Sequence, residues 1–245
     1  MPQNFFGTYP SWDPDKHGTD TWCMQKMYRL LFQVNSPFSI LDKLYFVEHY
    51  GGVQASFDCF KFEHKKKGEI FLYYPDDGLT AYYRKSKSDP QIDIRKTSFD
   101  QCFEMLANTV KDNPFKDKRF IFPIFETGFK GYGHVVTMVI DYDSNSKTIK
   151  PVIYDSIGRG TVSDFLASFV KRKYESTADF TLKRYMDKKF NCKPQLQRIG
   201  YDHQNRRSNW HCGLFAFRII HHAITDFLEK GIGILSIPKS INIDD

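Results

Sequence analysis

A cysteine at the head of a long apolar run dictates much of how this chain can fold. The stretch Asn209-Trp210-His211-Cys212-Gly213-Leu214-Phe215 leads into Phe217, Ile219, Ile220, Ile224, Phe227 and Leu228. That apolar density predicts a buried helix, with Ser208 or Asn209 placed to cap its start. A thiol in the first turn of such a helix feels the positive end of the helix dipole, which favours thiolate. Gly213 leaves room for a substrate to approach the backbone amide beside the sulfur. The pattern therefore points to Cys212 as a nucleophile rather than an inert core thiol.

The chain upstream reads as an α+β fold, with a central mixed or antiparallel sheet flanked by helices. Residues 1–18 form an irregular arm, followed by a helix from Thr19 or Asp20 to Phe32 and a second helical segment over 38–50. Strand patterns follow at 56–62, 69–74 and 79–84, separated by turns at 65–68 and 75–78, which predicts an antiparallel meander. Ser98 and Gln101 form a capping box ahead of a helix carrying Phe103, Met105, Leu106 and Val110. A strand is expected over 119–126, with Pro123 suggesting an edge or a bulge.

Gly128, Gly131 and Gly133 then deliver the chain to His134. Val135, Val136, Met138, Val139 and Ile140 make a nearly continuous apolar strand, as expected for a buried one. After a turn at 143–146 the chain returns over 149–154 and ends at Asp155. Ser163 caps a further helix, and 195–199 makes a short strand before a loop carrying Gln204. A single catalytic domain over 1–245 is the expectation, with its core at 118–228 and a substrate-docking insertion at 53–112.

Charge and cysteine usage limit the function classes. The formal net charge is +6, too modest for this length to imply nucleic acid. Much of the excess falls at 171–193, where eight Lys or Arg face Glu175, Asp179 and Asp187. That stretch reads as a solvated helix face, with an anion or membrane site as the sharper alternative. The five cysteines, Cys23, Cys59, Cys102, Cys192 and Cys212, are widely spaced and contain no CxxC pair. They argue against a disulfide framework or a zinc site and point to a reducing, intracellular place of action. The first 20 residues carry no apolar signal core, and no apolar run approaches membrane-spanning length.

An acyl-transfer cysteine needs a base, a group to orient that base, and donors for the oxyanion. His134 and Asp155, at the start of one strand and the end of its hairpin partner, meet at the same end of a sheet. Cys212 completes the group, and Gln204 offers its side-chain amide to the oxyanion, with Gln197 in reserve. The bland readings are a packed strand histidine, a turn-capping aspartate and a solvated glutamine. A rival nucleophile is Cys23, whose order before His134 and Asp155 is that of papain-like proteases. It lacks a following glycine and an upstream oxyanion donor.

His134, Val152-Ile153-Tyr154-Asp155-Ser156, Gln204 and His211-Cys212-Gly213-Leu214-Phe215 together resemble the clan CE cysteine proteases. This group includes the Ulp/SENP proteases of ubiquitin-like modifiers, bacterial effector deubiquitinases and YopJ-type acetyltransferases. The resemblance covers about residues 118–228. It departs where the family commonly has tryptophan after its histidine, here Val135, and aspartate before its cysteine, here His211.

What the resemblance implies is a Ulp/SENP-type papain-like fold and a cofactor-free isopeptidase acting on ubiquitin or ubiquitin-like conjugates. His134 would be the base, Asp155 its orienter, Cys212 the nucleophile and Gln204 an oxyanion donor, with Trp210, Gly213 and Val135 against the substrate. It also implies a bacterial effector acting in the host cytosol. The same residues would serve an acetyltransferase, with 171–193 binding an inositol phosphate, or survive as a degenerate site in a binding domain.

Overall fold

The computed structural model describes residues 45–51, 57–75, 79–82, 96–127, 133–156, 197–201 and 212–237. Within them the chain builds one mixed eight-stranded sheet and two long helices. The strands are β1 (Tyr45–Gly51), β2 (Phe57–His64), β3 (Gly68–Pro75), β4 (Leu79–Tyr82), β5 (Lys118–Thr127), β6 (Gly133–Asp143), β7 (Thr148–Asp155) and β8 (Gln197–Gly200). The helices are α1 (Lys96–Asp112) and α2 (Cys212–Lys230). Sheet order is β1-β2-β3-β5-β6-β7-β8, with β4 on β5.

Alternation along the strands divides the core in two. On one face Val135, Val139, Tyr154, Ile121 and Leu72 pack against Leu214, Phe217, Ile220, Ile224 and Phe227 of α2. On the other, Val136, Met138, Ile140, Phe122 and Ile153 pack with Phe103, Leu106 and Val110 of α1. Both faces of the sheet are thus covered, which is why the central strand β6 reads as an unbroken apolar run.

Three expectations are corrected. The helical segment expected over 38–50 is, from Tyr45 onward, strand β1, paired antiparallel with β2 and irregular between Phe46 and Glu48. Its Tyr-Phe-Val-Glu-His-Tyr composition suits a pleated surface, and a partner strand decides the matter. The three-stranded meander is the second. Strands β2 and β3 form an antiparallel hairpin, but β4 leaves it and pairs parallel with β5 from Leu79↔Ile124 to Tyr82↔Thr127. Third, Pro123 marks neither a sheet edge nor a bulge. Strand β3 accompanies β5 only as far as Ile121 and β4 begins at Ile124, so the missing N–H falls at the break between them.

Two smaller points follow from the turns. Helix α1 begins at Lys96, two residues ahead of the Ser98 expected to cap it. In the β2–β3 turn, Gly68 has φ +117° and a Cβ there would collide with the carbonyl of Asp117, which also accepts from Glu69 N–H at 2.9 Å. Only glycine meets both requirements.

Candidate active site

The site is assembled where three strands and a helix end together. Two contacts fix how α2 lies on β6. Thr137 Oγ1 donates to the Ala216 carbonyl at 3.2 Å. Further along, Arg119, which stands opposite Asp141 of β6 and binds its carboxylate, donates through Nη1 to the Ala223 carbonyl at 2.8 Å. Residue numbers rise together in the two elements, so α2 runs parallel to β6. Stepping back four helical residues from Ala216 covers ~6 Å, and three strand residues back from Thr137 cover ~10 Å. Cys212, the first residue of α2, therefore lies at the end of the sheet where β6 begins with Gly133 and His134.

Cys212 is buried, 8% exposed, and shares a core cluster with Val135 and Leu214. Being in the first turn of a 19-residue helix, it has the N-terminal dipole behind it. Gly213, also buried, follows it directly.

Asp155 is the last residue of β7. The β6–β7 register runs to Thr137↔Tyr154, so continuing it places 155 across from Val136 and one diagonal step from His134. The β6–β7 hairpin expected from sequence is thus formed, and the side chain of His134 lies outside the described residues. The Asp155 carboxylate is largely buried, and Oδ2 accepts from Arg198 Nη1 at 2.9 Å. Its main-chain carbonyl accepts from Tyr201 N–H at 2.8 Å. Strand β8 runs parallel to β7, with Ile153↔Arg198 and Asp155↔Gly200, so one bond comes from that strand and the other from Tyr201, the residue directly after it.

Arg198 is the residue that sequence reasoning missed. It appeared only as part of a short strand, although a cation in the middle of a four-residue edge strand beside an acidic strand end was a usable signal. Gln197 lies exposed at the Val152 level of β8, three positions from Gly200. That is ~10 Å short of the end where the site gathers. Gln204, Trp210, His211, Cys23 and the basic stretch at 171–193 lie outside the described residues, as do the expected helices at 19–32 and after Ser163. Among the described residues no three His, Cys, Asp or Glu side chains are grouped to hold a metal, and no helix is long and apolar enough to cross a membrane.

Tyr154, next to Asp155, ties this end of the sheet to the chain beyond α2. Its hydroxyl accepts from Leu235 N–H at 3.0 Å, and burial pushes its pKa up to about 12. It is a structural tyrosine, protonated at any working pH.

The comparison with known proteins decides the family. The RavZ catalytic domain matches residues 7–244 of this chain. The chain belongs to the RavZ catalytic-domain family. The cysteine protease RavZ of Legionella pneumophila is 31% identical over 229 residues, which cover 88% of this chain and 43% of the relative. A crystal structure of the Legionella pneumophila effector RavZ superposes with TM-score 0.72 at 29% identity, over 95% of this chain and 62% of that one. RavZ in complex with human LC3B gives TM-score 0.69 at 30% identity, over 95% of this chain and 57% of that one. This chain spans less than half the length of the curated relative, so RavZ carries sequence outside the part shared here. The matched family is that of a catalytic domain, and the curated relative that carries it is a cysteine protease. The narrower Ulp/SENP or YopJ assignment receives no such support.

Proposed function

We propose that this chain is a cysteine isopeptidase of a bacterial effector, cutting a ubiquitin-like modifier of the LC3 type from its conjugates in the host cytosol. One observation carries it: Cys212 heads a buried helix that runs parallel to β6, at the sheet end where His134 is the second residue of β6 and Asp155 ends β7. The LC3 class is taken from the complex of RavZ with human LC3B.

In this reading His134 takes the Cys212 proton and later returns it to the leaving amine. Asp155 orients the imidazole. The thiolate attacks the carbonyl carbon of the modifier's last residue, and the amine departs to leave a thioester. Water, activated by His134, then hydrolyses it and frees the thiol. The Cys212 backbone amide and Gln204 hold the oxyanion. Val135, Gly213 and Trp210 border the channel for the modifier's tail, with β2–β4 and α1 as its docking surface. The resemblance of the sequence to clan CE proteases supports this reading of the residues.

The test uses human LC3B, ubiquitin and SUMO bearing a C-terminal thiol-reactive warhead, with wild type, Cys212→Ala and Cys23→Ala. An adduct with LC3B that only Cys212→Ala abolishes is the expected result. Loss in Cys23→Ala alone would overturn the assignment of the nucleophile. An adduct with ubiquitin or SUMO but not LC3B would overturn the substrate class.

A further inference from the structure

We propose that Arg198 is a positioning residue of this site, setting the charge and direction of the Asp155 carboxylate. The inference rests on reading Asp155 as the residue that orients His134. A largely buried carboxylate drifts toward its neutral form unless a cation or several donors hold it ionised. A protonated Asp155 could neither fix the imidazole tautomer nor stabilise the imidazolium formed when the thiol is deprotonated. Arg198 supplies that cation at 2.9 Å, from the strand next door.

The geometry favours orientation over general stability. The parallel register sets Arg198 beside Ile153, so its side chain reaches forward along the sheet to the strand end. Arg198 Nη1 donates to Asp155 Oδ2 from that position. The pair is partly open, with Arg198 28% exposed, and pairs in such settings add at most ~1 kcal/mol to stability. Stability alone is a weak reason for an arginine here.

Tyr201, the residue directly after this strand, also grips Asp155 by its main chain through its N–H, and it stacks on Tyr154 with centroids 6.4 Å apart. From Tyr201 the chain runs directly through residues 202–211 to Cys212. Strand β8 therefore fixes the acid and launches the segment that carries the nucleophile. Arg198 is the side-chain half of that connection.

The experiment compares Arg198→Gln, Arg198→Lys, Asp155→Asn and the double variant Arg198→Gln/Asp155→Asn in the full chain. Hydrolysis of a C-terminal aminocoumarin amide of human LC3B gives kcat and KM, and iodoacetamide alkylation of Cys212 gives thiol reactivity without a modifier. Arg198→Gln should lower kcat about tenfold, the scale seen for outer-shell orienting partners, with KM changed by less than about twofold. Arg198→Lys should restore part of that loss. In the Asp155→Asn background, Arg198→Gln should slow alkylation no further, as expected of two residues acting through one group.

Wild-type kcat in Arg198→Gln, or an alkylation loss that multiplies with that of Asp155→Asn, would overturn the inference. Should Asp155→Asn keep wild-type kcat, the triad reading itself fails. Inactive Asp155→Asn beside fully active Arg198→Gln removes the arginine's role alone.

Discussion

Two arginines each hold an aspartate on a neighbouring strand, at opposite ends of the sheet, and they do it differently. Arg119 faces Asp141 across β5 and β6 and is 1% exposed. Its Nε and Nη2 donate to the two carboxylate oxygens at 2.7 Å, and its remaining reach goes to the carbonyls of Ala223 and Gly233 at 2.8 Å. Asp141 in turn accepts from Gly233 N–H. This bidentate, fully engaged fork fastens the second half of α2 and the chain after it to the sheet. Arg198 meets its aspartate through Nη1 alone at 2.9 Å, sits partly in solvent and lies beside the proposed triad. The sealed pair has the form of a structural clamp, and the open pair that of a device for aiming one carboxylate.

The largest effect should come from breaking the sealed pair. Arg119→Met leaves Asp141 as a buried charge without its fork and takes a donor from the Ala223 and Gly233 carbonyls, so unfolding in urea should show a loss of ~3–5 kcal/mol. Adding Asp141→Leu should recover part of it, because the uncompensated charge is then gone. The recovery stays partial, since Gly233 N–H also loses its acceptor. A double variant no more stable than the single one would show that packing against Phe227, not charge, dominates the cost.

The open pair should behave in the reverse manner. Arg198→Gln should change urea stability by no more than ~1 kcal/mol while lowering kcat as set out above. If it destabilises as much as Arg119→Met does, the two pairs are the same kind of device and the contrast collapses.

That contrast also marks what could be read from the sequence. The β6–β7 hairpin and α2 were legible because their signals are local: an apolar run, an Asp-Ser-Asn-Ser turn, and a cysteine before a dense apolar stretch. The proposal for His134, Asp155 and Cys212 rests on those elements. Strand β1 was misread because aromatic and apolar residues near Phe46 fit either period until β2 supplies a ladder. The pairing of β4 with β5 was hidden for a different reason. It depends on where β3 stops, a property of the assembled sheet. Both arginine pairs were harder to see, being cross-strand contacts 22 and 43 residues apart in the chain, and only the cation of β8 left a local signal.

A smaller effect tests the comparison from outside, at a basic group whose nearby charges are of its own sign. His221, on α2, is held below the ordinary imidazole range by burial first, and then by His222 and Arg218. The unfolded chain therefore takes up this proton at higher pH than the folded one. The resulting stability is present above about pH 6.5, the ordinary histidine value, and is lost as pH falls from there toward the lowered folded value. His221→Gln should flatten the decline in thermal midpoint between pH 7 and 5. Any packing defect from the substitution shifts the whole curve and leaves its slope alone, so the slope is the quantity to read. An unchanged slope would mean that α2 relaxes enough to hydrate the imidazolium. The buried clamp at Arg119, rather than packing around His221, would then be what keeps the second half of the helix on the sheet.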